Sequence, residues 1–261
     1  MSDSTLFMQR GARHISLPQI GQKGQQLISD ATVLIVGMGG LGCAAASYLN
    51  SSGIGRMIIA DFDSIDASNL SRQILFGPDD IGKSKIMIAK KRLNEINPIN
   101  NIEALSLKIN QQELEALQLN NKVIILDCSD NFNTRFEINK YCVRYGHYLV
   151  SGSAIRFEGH YSVFGNDYKL QPCYECLYKA EDESLEDCQG SGVLSPIPGV
   201  IGAMMATETI KIICNIHRKD THLNIFEGIS NEWRQINIKK IILAQFVINF
   251  FTTAVIFLIM C

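Results

Sequence analysis

Gly37-Met-Gly39-Gly40-Leu-Gly42 follows a run of β-branched residues and opens a stretch rich in alanine. The pattern is G-x-G-x-x-G between a strand and a helix. Its glycines permit a tight turn and close backbone approach, and the helix N-terminus beyond them favours a phosphate. Asp61 ends the next strand, at the separation where a carboxylate holds ribose hydroxyls. Arg72 and Lys85 come after that second strand, and Asp130 with Asn131 after the fourth. Two cations and one carboxylate suit a triphosphate with Mg2+, an ion that takes one or two carboxylates plus phosphate oxygens. The plainer alternative makes Arg72 and Lys85 solvated surface charges and Asp130 a cap for the helix that follows; capping and metal binding are compatible.

Thiols carry the second kind of chemistry. Cys173-x-x-Cys176 is half of a four-thiolate zinc site. The later cysteines, Cys188, Cys214 and Cys261, each stand alone, so a metal site and a pair of reduced thiols both remain open. Cys188 sits among glycines and charges in Leu185-Glu-Asp-Cys-Gln-Gly-Ser-Gly192, a setting for a reactive thiol if something lowers its pKa. Cys43, Cys128, Cys142 and Cys214 fall within expected elements and read as core.

The elements that must position these residues alternate. Short apolar strands at Thr32–Val36, Arg56–Ala60, 102–107, 122–126 and 148–151 are separated by helical stretches at 41–50, 83–94, 111–119 and 133–145. Such alternation predicts an α/β, Rossmann-like, doubly wound and mostly parallel sheet, which binds ligands at the carboxyl ends of its strands. After Ser153 the pattern changes. Residues 156–164 alternate as an antiparallel strand does, 165–192 form a long polar stretch, 201–214 return to helix, and 223–226 with 234–238 read as closing strands. Antiparallel strands are therefore expected in the C-terminal half of the same sheet, with one domain over residues 1–240.

Composition excludes several classes. Of 261 residues 46% are hydrophobic, enough for a sizeable core, and charged residues at 19% do not fit a disordered chain. Lys plus Arg total 24 against 26 Asp plus Glu, a formal charge of −2, which argues against coating nucleic acid or an anionic membrane. Eight cysteines are too sparse for a disulfide scaffold. The N-terminus, MSDSTLFMQR, lacks an apolar signal region, so the catalytic part is expected in the cytoplasm with its thiols reduced. One segment cuts across this picture: residues 241–261 are 17 apolar residues of 21, interrupted by Gln245, Asn249, Thr252 and Thr253. A helix of that length spans roughly 32 Å, close to a bilayer's hydrocarbon core of ~30 Å. Preceded by Lys239-Lys240, it is expected to be a C-terminal anchor to the inner membrane; a shifted reading frame at the gene's end, or core packing, would give the same string.

Taken together and in order, Val33-Leu-Ile-Val-Gly-Met-Gly-Gly-Leu-Gly42, Asp61-Phe-Asp63, Ser68-Asn-Leu-Ser-Arg-Gln73, Asp80-Ile-Gly-Lys-Ser-Lys85, Asp127-Cys-Ser-Asp-Asn131 and Pro172-Cys-Tyr-Glu-Cys176 resemble the E1-like adenylyltransferases. The chain is similar to the MoeB/ThiF/HesA family of enzymes that activate ubiquitin-like sulfur carriers, over roughly residues 10–238. The resemblance implies ATP-dependent adenylation of the C-terminal Gly-Gly carboxylate of a MoaD- or ThiS-like carrier, in molybdopterin or thiamine biosynthesis. By motif, Gly37, Gly39, Gly40 and Gly42 would approach the nucleotide and Asp61 would hold the ribose. Asn69, Arg72, Gln73 and Asn131 would complete the nucleotide set, Lys85 would offset the triphosphate and Asp130 would hold Mg2+. It also implies a homodimer in which Arg13 reaches into the partner's site, although Gly11-Ala12 replaces the family's usual aromatic. Cys188 matches the cysteine that joins the carrier in ThiF-like members. The family's second C-x-x-C is missing, which leaves Zn2+ at Cys173 and Cys176 without half of its ligands. Two other functions fit parts of the chain: a catalytically inactive carrier-binding module, and an NAD-dependent oxidoreductase, which matches the glycine motif alone.

Overall fold

A computed structural model describes residues 3–119, 122–165, 167–179 and 192–241. Cys188 and the apolar residues from 242 onward lie outside the described residues, and so do the expectations placed on them. Among the described residues no helix is long and apolar enough to cross a membrane.

Five strands pair in parallel: β1 (Thr32–Val36), β2 (Arg56–Ala60), β3 (Asn101–Leu105), β4 (Ile124–Asp127) and β5 (Tyr148–Ile155). Then β6 (Glu158–Phe164), β7 (His222–Glu227) and β8 (Glu232–Asn237) are added antiparallel, giving the order β3-β2-β1-β4-β5-β6-β7-β8. The central strand β1 has both faces covered, which is why it reads as an unbroken apolar run rather than an alternating one. Val33 and Ile35 point into one core with α3 (Gly40–Ser52), α4 (Lys85–Ile96) and α7 (Pro196–Ile213). Leu34 and Val36 point into the other, with α5 (Gln111–Ala116) and α6 (Phe132–Tyr145). The register pairs Val36 with Ala60 on one side and with Asp127 on the other. The carboxyl ends of β1, β2 and β4 are therefore level, and the loops leaving them meet.

Two helices precede the sheet that the alternation pattern does not announce, α1 (Asp3–Ile15) and α2 (Gly21–Asp30). Gly21 and Gly24 disfavour a helix by propensity, but Gly24, Gln25 and Ile28 are buried against the body of the protein, and packing overrides the propensity. Helix α7 begins earlier than its apolar run, at Pro196. Proline is compatible with a helix's first turn, where the missing N–H would have no partner within the helix.

A buried ion pair ties β4, β5 and α6 together. Asp127, fully buried at the end of β4, accepts from the Ser129 N–H and hydroxyl at 3.1 and 2.6 Å and from the Ser151 hydroxyl at 2.8 Å. Its other partner is Arg135, 3.4 Å away. The same guanidinium donates to Ser151 Oγ at 3.2 Å, to the Gly152 carbonyl at 3.1 Å and to the Ser129 carbonyl. Burial works most strongly against the charge on Arg135, but Asp127 together with Tyr174 and Tyr178 outweighs it and holds the guanidinium protonated. Removing one partner leaves an uncompensated buried charge, at a cost of about 3–5 kcal/mol. We expect Arg135→Met to lower the urea midpoint accordingly, and the double variant Asp127→Asn/Arg135→Met to be less destabilised than the single one. Equal destabilisation of the two would mean that lost packing, not the orphaned carboxylate, carries the effect.

Candidate active site

The turn after β1 is built on backbone contacts that exclude side chains. Gly37 has a positive φ of +93°, and a Cβ there would stand 2.7 Å from the Cys128 carbonyl oxygen. Gly42, one turn into α3, lies so close to the loop that a Cβ would be 1.9 Å from the Gly37 carbonyl. The helix is thus pressed onto its own entry turn. Its N-cap is Gly39, which supplies no side-chain acceptor to the first helical N–H groups. The nearest atom to a Cβ built at Gly39 is Gln73 Nε2, at 3.9 Å. An uncapped helix N-terminus facing open space is where the physics of the helix dipole and its free donors places an anion.

Three other segments close around this turn. Asp61, at the end of β2, accepts the Met38 N–H at 2.6 Å through one oxygen and the Asp63 N–H at 2.8 Å through the other. Burial pushes its carboxyl pKa up, against the two N–H groups and the nearby Lys85 charge. Asp63 continues the chain of contacts: its carbonyl accepts the Lys85 N–H at 3.0 Å, and its carboxylate pairs with the Lys85 ammonium at 2.8 Å. Lys85 itself is buried, at 6% exposure, so its charge faces the loop cluster and not bulk water.

The second segment is the polar loop after β2. Here the Asp66 N–H donates to Asn69 Oδ1 at 3.2 Å and Ser68 N–H to Asp66 Oδ1 at 2.8 Å, forming a capped 3-10 turn. Arg72 leaves this turn, donating to the Ser68 carbonyl at 3.0 Å. Its own carbonyl lies 3.4 Å from where a Gly40 Cβ would be. Gln73 is buried at 3% exposure, and its side-chain oxygen has no hydrogen-bond partner. An orphaned buried oxygen beside a glycine cradle fits a bound polar ligand.

The third segment follows β4. Asn131 caps α6, its side-chain oxygen accepting the Thr134 N–H at 2.9 Å. The capping role that the sequence allowed to Asp130 thus belongs to its neighbour, because the helix starts one residue later. Asp130 is left exposed at the carboxyl edge of the sheet, with both oxygens available to a cation. Sequence reasoning missed Arg135, which fixes this loop through Ser129. The available signal was a cation in the first turn of a helix, where the dipole disfavours it, four residues past Asn131 and close after a strand ending in Asp127.

The structure does not bring Arg13 to this cluster. It is exposed on α1, whose Gly11 and His14 pack on Gln25. Gln25 in turn donates to the Ser52 carbonyl at 2.9 Å, at the far end of α3. Thirteen helical residues at about 1.5 Å each separate the two ends by about 20 Å. Cys173 precedes and Cys176 ends a 3-10 turn, Tyr174–Cys176, packed under α6, where Asn139 Oδ1 accepts the Tyr174 N–H at 2.9 Å. A hydrogen bond from Cys173 lowers the Cys176 thiol pKa, against its own burial. Among the described residues no group of three His, Cys, Asp or Glu side chains could hold a metal ion. A lone Asp130 still suits Mg2+, which takes most of its ligands from phosphates and water.

Residues 12–241 match the sequence pattern of the ThiF family. The sulfur carrier protein ThiS adenylyltransferase of Escherichia coli K12 is 38% identical over 235 residues, covering 88% of this chain and 91% of that protein. The probable molybdopterin-synthase adenylyltransferase of Porphyra purpurea is 37% identical over 248 residues, 92% of this chain and 62% of that one. Escherichia coli MccB, in a crystal structure with ATP, superposes with a TM-score of 0.76 at 25% identity, over 89% of this chain and 71% of that chain. A match that runs through every loop of the cluster, from the glycine turn to the turn after β4, places the chain in the ThiF family.

Proposed function

We propose that this protein uses ATP to adenylate the C-terminal Gly-Gly carboxylate of a small ubiquitin-like sulfur carrier, for thiamine or molybdopterin biosynthesis. The observation that carries the reading is the convergence of the glycine turn, Asp61, Arg72, Gln73, Lys85 and the Asp130 loop at one edge of the sheet. The named relatives support the substrate class: one acts on ThiS, the other is a probable molybdopterin-synthase adenylyltransferase.

The reaction joins a carboxylate oxygen to the α-phosphorus and breaks the bond to the bridging oxygen, so that pyrophosphate leaves. A carboxylate is already ionised at neutral pH, so no general base is required. Charge that accumulates on phosphate oxygens must instead be met by fixed donors. The N–H groups at the start of α3 and the loop before it face the phosphates. Asp61 keeps Met38 in place through its N–H and offers its remaining lone pairs to the ribose. Asn69, Gln73 and Asn131 line the nucleotide, Arg72 faces the phosphates, and Lys85 exchanges its tie to Asp63 for a triphosphate oxygen. Mg2+, when bound, would neutralise phosphate charge, and Asp130 is the carboxylate that would hold it. Removing one such electrostatic contact costs roughly 10²–10³ in rate. Asp130→Ala is therefore expected to lower carrier-dependent ATP–pyrophosphate exchange by about that factor while leaving the circular dichroism spectrum unchanged. A folded variant with wild-type exchange would remove Asp130 from the mechanism.

The working unit in this reading is a homodimer in the cytoplasm, with residues 1–240 as the catalytic domain and the apolar tail 241–261 as its tether to the inner membrane. Arg13, exposed and remote from its own glycine turn, completes the site of the partner. Mixing Arg13→Ala with Asp130→Ala protein should then restore exchange, to about a quarter of wild type when subunits redistribute at random among dimers. No recovery in subunits shown to exchange would confine Arg13 to a role within its own chain. Cys188 is the thiol that joins the carrier covalently. Cys188→Ala should spare adenylation and abolish the covalent species in intact-mass spectra taken with ATP, carrier and sulfur donor; an adduct that persists would move the reactive thiol elsewhere.

A further inference from the structure

Zinc in a structural site takes four ligands, with thiolates commonest. The corner that holds Cys173 and Cys176 supplies two. The third described half-buried thiol, Cys214, lies elsewhere, its Sγ 3.8 Å from the Gly24 carbonyl. What the chain brings to this corner after β8 is a cation. The Lys240 ammonium donates to the carbonyls of Tyr168, Lys169 and Gln171, the latter two at 2.9 and 3.5 Å. The next residue, Ile241, donates its N–H to Cys176 Sγ at 3.5 Å. An ammonium has three donors, and three carbonyls of one loop receive them. A fixed positive charge beside the Cys176 thiol opposes a divalent cation there. Among the described residues the donor set does not fit zinc.

We propose that this corner is a metal-free dithiol clasp: Lys240, caged by main-chain carbonyls, ties the end of the sheet to the 168–178 loop, and Cys173 with Cys176 remains a thiol pair that closes reversibly to a disulfide. The pair has the spacing and local turn for it, with the Cys176 N–H donating to the Cys173 carbonyl at 3.0 Å across a single 3-10 turn. Both residues are half-buried, whereas Cys43, Cys128 and Cys142 are sealed in the cores. The oxidant is a low-molecular-weight disulfide such as oxidised glutathione. Cys176 thiolate attacks one of its sulfurs, the glutathione S–S bond breaks, and the departing glutathione thiolate takes the Cys173 proton. The Cys173 thiolate then attacks Cys176 Sγ of the mixed disulfide and releases the second glutathione thiolate. Two electrons pass from the protein thiols to the glutathione disulfide.

The test uses the full chain, reduced and purified without chelator. Elemental analysis should find zinc well below one per chain, and adding a chelator should leave the melting temperature unchanged. Lys240→Gln should melt several degrees lower than the parent chain. Incubation with oxidised glutathione followed by peptide mapping should yield a Cys173–Cys176 disulfide, reversed by dithiothreitol, and Cys173→Ser should instead retain glutathione on Cys176. One zinc per chain whose removal lowers the melting temperature would overturn the proposal. So would a Lys240→Gln variant as stable as the parent, or thiols that stay reduced in folded protein under excess oxidised glutathione. None of these readouts depends on the carrier or on ATP, so the proposal stands or falls separately from the adenylation reading.

Discussion

The site rests on one steric constraint: nothing larger than hydrogen can stand at Gly42, because the Gly37 carbonyl oxygen occupies the space that a side chain would need. That contact draws α3 down onto the turn after β1 and aims its free N–H groups outward at the carboxyl edge of the sheet. The neighbouring contacts depend on the same placement. Asp61 reaches the Met38 N–H, the Cys128 carbonyl lies against Gly37, and the Arg72 carbonyl lies against Gly40. An added methyl at Gly42 would therefore disturb the seats of all three loops at once. The level register of β1, β2 and β4 is what lets a single turn touch both of its neighbours.

Charges near the site divide by environment. Asp127 and Arg135 are buried, mutually paired and hydrogen-bonded on nearly every side, so they serve geometry and hold the Asp130 loop. Asp61 is intermediate: its two oxygens already fasten the glycine turn, and its burial is tolerable because N–H groups face it. Arg72 and Asp130 carry charge toward solvent, and Lys85 is matched by a half-exposed Asp63. That division suits a reaction whose nucleophile arrives ionised. Fixed cations and N–H groups stabilise developing negative charge without having to reorganise, and they need a rigid backing that does not itself compete for the ligand.

The C-terminal half supplies that backing and a second chemistry. Helix α7 covers the same face as α3, and Pro198 in its first turn sits against Gly40. The antiparallel strands β6 to β8 extend the sheet away from the nucleotide edge, and the chain returns under α6 to place Lys240 beside Cys176. The thiol pair and the glycine turn are thus served by different elements of one continuous sheet.

Much of the fold was legible in the sequence. Strands β1 and β2 stand where the apolar runs put them, to the residue, because a strand covered on both faces must be apolar throughout. The glycine turn, Asp61 and Lys85 were legible for a related reason: backbone crowding and ligand geometry demand particular residue types at fixed spacing. Helices α1 and α2 were not legible, since their stability comes from tertiary burial of Gly24, Gln25 and Ile28 and not from local propensity. Nor was the division of labour after β4. The sequence reading offered Asp130 as the cap and the structure gives that role to Asn131, because the cap turns on where the first helical N–H falls; sequence could not pair Arg135 with Asp127 either, because their meeting depends on the angle at which α6 leaves the sheet. The cation beside Cys176 was hidden for the same reason. Lys240 is 64 residues away along the chain, and only the closing of β8 against β7 carries its ammonium into the loop of carbonyls beside that thiol.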